Sequence, residues 1–138
     1  MSNRTFTIVK PDSVRKGNFG KIISRLESEG FRILGLKKTS LSRTQAEGFY
    51  AVHRERPFFS GLVDYMTSGP VYVAALERVD AVPTLRKVMG ATDPAKAGAG
   101  TIRKDFGESI EQNAIHGSDS DENANIEISF FFAESELL

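Results

Sequence analysis

The spacing of apolar residues changes period several times along the chain, and each change marks an element. Thr5-Phe6-Thr7-Ile8-Val9 is β-branched and aromatic and stops at Lys10-Pro11-Asp12. That pattern predicts a strand ended by proline, with Lys10 at its C-terminal edge. Within Lys21–Glu29, Ile22, Ile23 and Leu26 share one helical face, and Gly30 suits the position just past a helix end. Phe31–Leu41 reads as a second strand in which Gly35 interrupts the alternation and marks a candidate bulge. Ser42-Arg43-Thr44-Gln45 is a capping-box pattern, so a helix is expected to run towards Tyr50. Pro57 suits the first turn of a further helix, whose Phe59, Leu62, Val63 and Met66 share a face as far as Ser68-Gly69-Pro70.

Val71–Leu76 is a short apolar strand. Asp80 is expected to cap the next helix, with Pro83 tolerated in its first turn, Arg86 midway and Gly90 at its end. From Ala91 to Gln112 the periodicity fails, which predicts a long loop with one short turn near Arg103–Phe106. Loops of that length in a compact domain are usually functional or disordered. Ala114-Ile115-His116 is a fourth, short strand. Asp119 or Ser120 then caps a last helix, whose Asp121 and Glu122 favour its dipole and whose Ala124, Ile128 and Phe131 face inwards. The apolar end, Phe130–Leu138, is expected to dock on its own domain or on another subunit. The order predicts a ferredoxin-like βαββαβ unit, an α/β protein of the α+β sandwich kind. One four-stranded antiparallel sheet would carry helices on one face and a long loop before its fourth strand, with residues 1–138 as a single domain.

Composition narrows the partners. The chain has 138 residues, 40% of them hydrophobic and 26% charged, enough for one domain with a real core. Eighteen basic residues balance eighteen acidic ones, which argues against a general nucleic-acid binder. There is no cysteine, so thiol nucleophiles, thiolate metal sites and disulfides are excluded. Met1–Lys10 carries no signal-peptide run and no segment reaches the length of a membrane span, so a cytoplasmic protein without membrane partners is expected.

One of the two histidines stands out. His116 lies in Asn113-Ala114-Ile115-His116-Gly117-Ser118-Asp119-Ser120, a strand end opening into a small polar turn. Imidazole is both a nucleophile and a base that titrates near neutral pH. Three readings of it stand: a hydrogen-bonded structural histidine, a zinc ligand lacking partners at any useful spacing, and a nucleophile. The last needs an acceptor on one ring nitrogen, and Glu127, one to two turns into the following helix, is placed to serve. Arg86, Lys87, Lys96, Arg103 and Lys104 gather positive charge around the long loop, and guanidinium forks suit phosphate oxygens. No Gly-x-x-x-x-Gly-Lys-Ser/Thr is present, so any phosphate site must be built from side chains. Singly, each candidate has a plainer explanation. Lys10, Arg86 and Arg103 read as surface charges or partners of acids such as Asp105. Tyr50 and Phe58 read as packing aromatics, Ser118 as a helix cap, and Glu127 as part of an acidic face.

Together they resemble a family. Asn113-x-x-His116-Gly117-Ser118-Asp119-Ser120 is similar to the active-site signature of nucleoside diphosphate kinases. The likeness runs colinearly through Thr5–Asp12, Phe49-Tyr50, Arg56–Phe59, Met66–Pro70, Gly90–Pro94 and Gly100–Phe106. It implies a reversible ping-pong exchange of the γ-phosphate between nucleoside triphosphates, such as ATP, and diphosphates. His116 would carry the phosphate on Nδ1, with Glu127 orienting the ring and Ser118 helping. Lys10, Arg86, Thr92 and Arg103 would bind phosphate, and Tyr50 would lie close to the γ-phosphate. Lys10 and Asn113 would contact the ribose, and Phe58 would stack on the base opposite Ile110, with Leu62 in the same wall. Mg²⁺ would arrive with the nucleotide rather than sit in a dedicated protein site. The resemblance also implies a homo-oligomer, tetramer or hexamer, of the bacterial type, with no obligatory nucleic acid. Many members carry proline just before Gly-Thr-Ile-Arg, whereas this chain has Gly98-Ala99-Gly100. Two other classes stay in view: a nucleic-acid-binding module, since βαββαβ sheets often bind RNA, and a non-catalytic scaffold.

Overall fold

The computed structural model describes residues 3–138, and Met1 and Ser2, part of the N-terminal stretch read for a leader, lie outside them. β1 (Arg4–Val9) runs along the middle of an antiparallel sheet of order β2-β3-β1-β4, with β2 at Arg32–Thr39, β3 at Val71–Glu77 and β4 at Ile115–Gly117. Alternation decides which side chain faces where. Phe6 and Ile8 of β1 and Val71, Val73 and Ala75 of β3 enter one core. Val9, Ala74, Leu76 and Ile115 enter the other.

The four-stranded antiparallel α+β architecture is the expected one, but helices cover both faces of the sheet rather than one. α2 (Phe19–Ser28) and α5 (Ala81–Met89) seal one face through Ile22, Leu26, Leu85 and Met89. The other is sealed by α3 (Arg43–Phe49), α4 (Phe59–Met66) and α7 (Asp121–Phe131) through Ala46, Val63, Met66 and Ile128. The physical reason lies in β1 and β3. Both alternate residues that are apolar or buried on each side, and a strand buried on both faces needs cover on both.

Local chemistry accounts for the remaining differences. Pro11 does more than end β1: it is the first residue of α1 (Pro11–Arg15), where its missing N–H costs nothing and its fixed φ suits a helix. Pro57, expected in a helix first turn, precedes α4, whose N-cap is Phe58. Asp80 is the N-cap of α5, yet with φ 54 its side chain makes no capping hydrogen bond. The Ser42–Gln45 capping box is present, and Ser120 rather than Asp119 caps α7 by accepting from the Asn123 N–H at 3.1 Å. The segment expected to be a loop is ordered by caps of its own. Asp93 accepts from Ala95 N–H at 3.0 Å and opens a 3-10 turn at Pro94–Lys96. Thr101 caps α6 (Ile102–Phe106). Both elements are too short to show a period. The predicted irregularity at Gly35 appears as a register shift between Ile33 and Gly35. The docked C-terminal segment leaves no room for a side chain at this position, since a Cβ at Gly35 would lie 2.9 Å from the Phe132 ring. That segment packs on its own β2, where Leu138 N–H donates to Leu34 C=O at 2.9 Å.

Gly90 ties this scaffold to the cleft described below. Its φ of 87° and ψ of −177° belong to a region that glycine alone occupies easily. A Cβ there would lie 2.5 Å from Thr101 Oγ1, whereas one at Gly17, with φ 73°, would meet nothing within 4 Å. Gly17→Ala is therefore expected to cost about 1 kcal/mol of unfolding free energy from backbone strain. Gly90→Ala should cost about 3 kcal/mol or more, because steric overlap adds to strain. Urea denaturation of the two variants compares them directly, and equal losses would remove the packing role assigned to Gly90.

Candidate active site

β1 and β4 pair at three positions, Thr7 with Gly117, Ile8 with His116 and Val9 with Ile115. Residues opposite one another in an antiparallel pair share a face, so His116 points to the side of Ile8, towards α7 and α3. There its ring meets Phe6, Phe49 and Tyr50 edge-on, with centroids 6.2, 5.4 and 6.2 Å away. Nε2 lies 2.9 Å from Glu127 Oε1, and Ser118 Oγ donates to the same oxygen at 2.7 Å. A carboxylate only accepts, so Nε2 carries the ring proton and Nδ1 presents a lone pair. Glu127 stands one turn and three residues beyond the Ser120 cap, which is why a residue eleven positions away in sequence reaches the ring.

A cleft of about 570 Å³ opens at His116. Lys10, Arg86, Thr92, Arg103 and Asn113 line it, together with Tyr50 and Glu127. Phe58, Leu62 and Ile110 form an apolar part of its wall. Ser118 is fully buried behind the histidine and touches the cleft only through Glu127. The fold thus brings the residues singled out in the sequence to one place. Phe58 and Ile110 remain 50% and 61% exposed, as rim residues open to a flat ligand would be.

The cations are costly ones. Lys10 follows β1 and is buried, with its ammonium donating to Asn113 Oδ1 at 2.7 Å. Burial, and then the charge of Arg103, lower its pKa to about 8. Asn113 is itself fixed, its amide donating to Thr92 C=O at 3.0 Å. Arg103 is not paired with Asp105, which instead meets Arg25 at 2.8 Å. Its guanidinium is held by two backbone carbonyls, donating to Gly90 O at 3.1 Å and Ile115 O at 2.8 Å. Burial and the neighbouring Arg86 lower its pKa to about 10. Arg103 Nε and the Tyr50 hydroxyl are buried with no hydrogen-bond partner among the described residues. Burial, then the charge of Glu127, push the Tyr50 phenol up and keep its proton on. Among the described residues no group of three or more His, Cys, Asp or Glu is placed to hold a metal ion. A site of buried cations and unused donors is suited to an anion with several oxygens.

Some lining residues were given no role from the sequence. Phe49, matched there only as part of Phe49-Tyr50, ends α3 and packs against the imidazole, and His53 sits 5.4 Å from the Phe58 ring. Glu111 and Asn123 also line the cleft. His53 was visible only as the second histidine, and Glu111 lies in a stretch without any period.

The fold and site define an α+β protein with an oriented imidazole in a cationic, aromatic-rimmed cleft. Comparison with known proteins makes this specific. The family model for nucleoside diphosphate kinase matches residues 3–137. Nucleoside diphosphate kinases of Geobacter sulfurreducens and a Nitratiruptor species are 58% and 61% identical over 135 residues, in each case 98% of this chain and 98% of the relative. The structure of the Aquifex aeolicus nucleoside diphosphate kinase superposes with a TM-score of 0.97 at 46% identity, covering all of both chains. That of Halobacterium salinarum, solved in complex with CDP, gives 0.95 at 43% identity over all of this chain and 92% of the other. The chain belongs to the nucleoside diphosphate kinase family.

The lowered Lys10 pKa fixes the sign of two pH dependences. An anion in the cleft favours the charged ammonium, so binding of ADP is expected to weaken as pH rises through about 8 and to take up protons at that pH. The unliganded fold responds oppositely at this group. Above pH 8 the unfolded chain keeps a proton that the folded one has released, so stability rises from about pH 8 towards the ordinary lysine value of 10.5. Calorimetric titration with ADP at pH 7, 8 and 9, in buffers of different ionisation enthalpy, measures both affinity and proton uptake. Affinity that is flat across that range would contradict the buried-ammonium assignment.

Proposed function

We propose that this chain, acting as a single domain, transfers the terminal phosphate of a nucleoside triphosphate to a nucleoside diphosphate through a phosphohistidine on His116. One observation carries the reading: an imidazole whose Nε2 is held by Glu127, leaving Nδ1 its lone pair, and which lines one cleft with Lys10, Arg86 and Arg103. In the first half-reaction the Nδ1 lone pair attacks the γ-phosphorus. The bond from phosphorus to the β,γ-bridging oxygen breaks, and the diphosphate leaves with that electron pair. Glu127 accepts a hydrogen bond from the ring N–H throughout, so positive charge growing on the imidazole meets a carboxylate 2.9 Å away. In the second half-reaction a terminal oxygen of another diphosphate attacks the phosphorus, and the N–P electron pair returns to Nδ1.

Transfer of this kind depends on in-line placement and on neutralising the equatorial oxygens more than on covalent machinery. Lys10, Arg103 and Arg86 supply fixed charge, Thr92 a further donor, and the Tyr50 hydroxyl an unused proton close to the histidine. Lys10 and Asn113, already bonded to each other, contact the ribose hydroxyls in this reading. Phe58 stacks the base against Ile110 with Leu62 alongside, and a π-face exists on every base, so broad acceptance of purines and pyrimidines follows. Mg²⁺ belongs to the substrate: it enters on the nucleotide phosphates and adds charge there. The family, together with apolar residues left at the surface such as Leu36, Ile126 and Phe130, supports a homo-oligomer, tetramer or hexamer, which the native mass would distinguish. No helix among the described residues is long and apolar enough to cross a membrane.

Incubation with γ-labelled ATP and Mg²⁺ is expected to give an acid-labile, base-stable phosphoprotein that GDP or CDP discharges. His116→Ala should take up no label and lose exchange by about four orders of magnitude or more. Label on His116→Ala equal to that on the unaltered chain would sink the mechanism.

A further inference from the structure

A buried pair that the chemistry above leaves unused sits behind the nucleophile. Asp12, in the first turn of α1, is 1% exposed, and Tyr65, near the end of α4, is 7% exposed. The two are bonded reciprocally. The Tyr65 hydroxyl donates to Asp12 Oδ1, and the Asp12 backbone N–H donates to the Tyr65 hydroxyl oxygen at 2.9 Å. The remaining carboxylate oxygen of Asp12 accepts from the Ala114 N–H at 3.1 Å. Burial, then the bond to Asp12, push the Tyr65 phenol up and so keep it a donor.

Ala114 is in an unusual state. Its φ is 76°, although it is not glycine and is completely buried. Ile115 N–H donates back to Asn113 C=O at 2.9 Å, closing a three-residue γ-turn about Ala114 with positive φ, the strained hand of that turn. Both polar groups of Ala114 are held from the end of β1: its N–H by Asp12, and its C=O by the Lys10 backbone N–H at 2.9 Å. The turn lies between Asn113, which holds the Lys10 ammonium, and His116, two residues on. Its angle therefore sets the imidazole relative to the Lys10–Asn113 pair. Strain of this kind persists only where surrounding contacts over-determine it, and the buried carboxylate is the side-chain contact that does so beside the Lys10 backbone bond.

We propose that Asp12 and Tyr65 are positioning residues that clamp the strained turn at Ala114 and thereby aim His116 at a phosphate bound by Lys10 and Arg103. This rests on the reading of His116 as the phosphate carrier. Neither residue touches substrate. Without the clamp the turn would relax towards ordinary strand geometry and carry the ring away from in-line attack, and displacements of about 1 Å there are worth about a hundredfold in rate.

The test uses the full chain with Tyr65→Phe, which removes the hydroxyl, and Asp12→Asn, which turns one acceptor oxygen into a donor. Rapid-quench labelling with γ-labelled ATP reads the rate of His116 phosphorylation, calorimetry reads ADP affinity, and NMR hydrogen exchange reads the Ala114 amide. The expected result is a phosphorylation rate about tenfold lower or more, ADP affinity within about threefold, and Ala114 exchange about tenfold faster. Adding Ala114→Gly to Tyr65→Phe should restore much of the rate, because glycine takes positive φ without a clamp. A merely structural loss would not respond to that glycine. The proposal is overturned by rates within twofold of the unaltered chain, by ADP affinity falling in step with rate, or by no rescue. If neither variant folds, exchange on the unaltered protein decides, and an Ala114 amide as fast as those of exposed loops overturns the clamp. An unaltered chain that takes up no label refutes the phosphohistidine reading instead, and leaves Ala114 exchange to judge the clamp by itself.

Discussion

The pairing of β4 with β1 is the constraint on which the site depends. β4 has three residues, too few to hold itself in a sheet, and it is secured at both ends and from the side. Lys10 N–H reaches Ala114 C=O at 2.9 Å, Ser118 N–H reaches Phe6 C=O at 3.1 Å, and Thr7 Oγ1 donates to His116 C=O at 2.7 Å. A slip of one residue would turn His116 into the α2–α5 core and place Ile115 against Glu127. Register here is therefore a statement about chemistry, since it decides whether the imidazole meets a carboxylate or a leucine.

The same arrangement explains why the unliganded cleft is poised for an anion. Lys10 and Arg103 are both desolvated, and burial together with a neighbouring arginine lowers the pKa of each, while their hydrogen bonds go to neutral acceptors: Asn113 Oδ1 and the carbonyls of Gly90 and Ile115. Among the described residues no carboxylate neutralises them at hydrogen-bond distance. Acids elsewhere are engaged, Asp105 with Arg25 and Glu108 with Lys16, which keeps the local charge from collapsing into surface ion pairs. Buried cations held by neutral dipoles are a poor way to stabilise a fold and a good way to prepare a phosphate site. The cost falls on stability, and the two cores flanking the sheet supply the burial that offsets it.

Much was legible residue by residue. The β-branched and apolar runs Thr5–Val9 and Val71–Leu76, the Ser42–Gln45 capping box and the Ile22–Leu26 face all lie where local pattern places them, because each is governed by neighbours within a few positions. α1 and α6 were not legible as helices, at five residues each, since one and a half turns cannot display a period. The candidate residues from Lys10 to Glu127 were identifiable as a set through a motif, yet taken one at a time each had a plainer explanation. What sets most of them apart in the folded chain is convergence on one cleft. His53 and Glu111 went unrecognised for the converse reason: their only distinction is their position in space.

Element types, the absence of thiol chemistry and the identity of the histidine follow from residue order, since they depend on local backbone preference and on which functional groups exist at all. Three things are decided only in the folded chain. Helices cover both sheet faces because α3, α4 and α7 return to the side that the βαββαβ order leaves open. The Nδ1 lone pair is defined by Glu127 arriving from eleven residues away. The positive φ of Ala114 is imposed by Asp12, more than a hundred positions earlier, against that residue's own preference. Each is a long-range contact overriding or completing a local tendency, and local tendencies are all that a linear pattern contains.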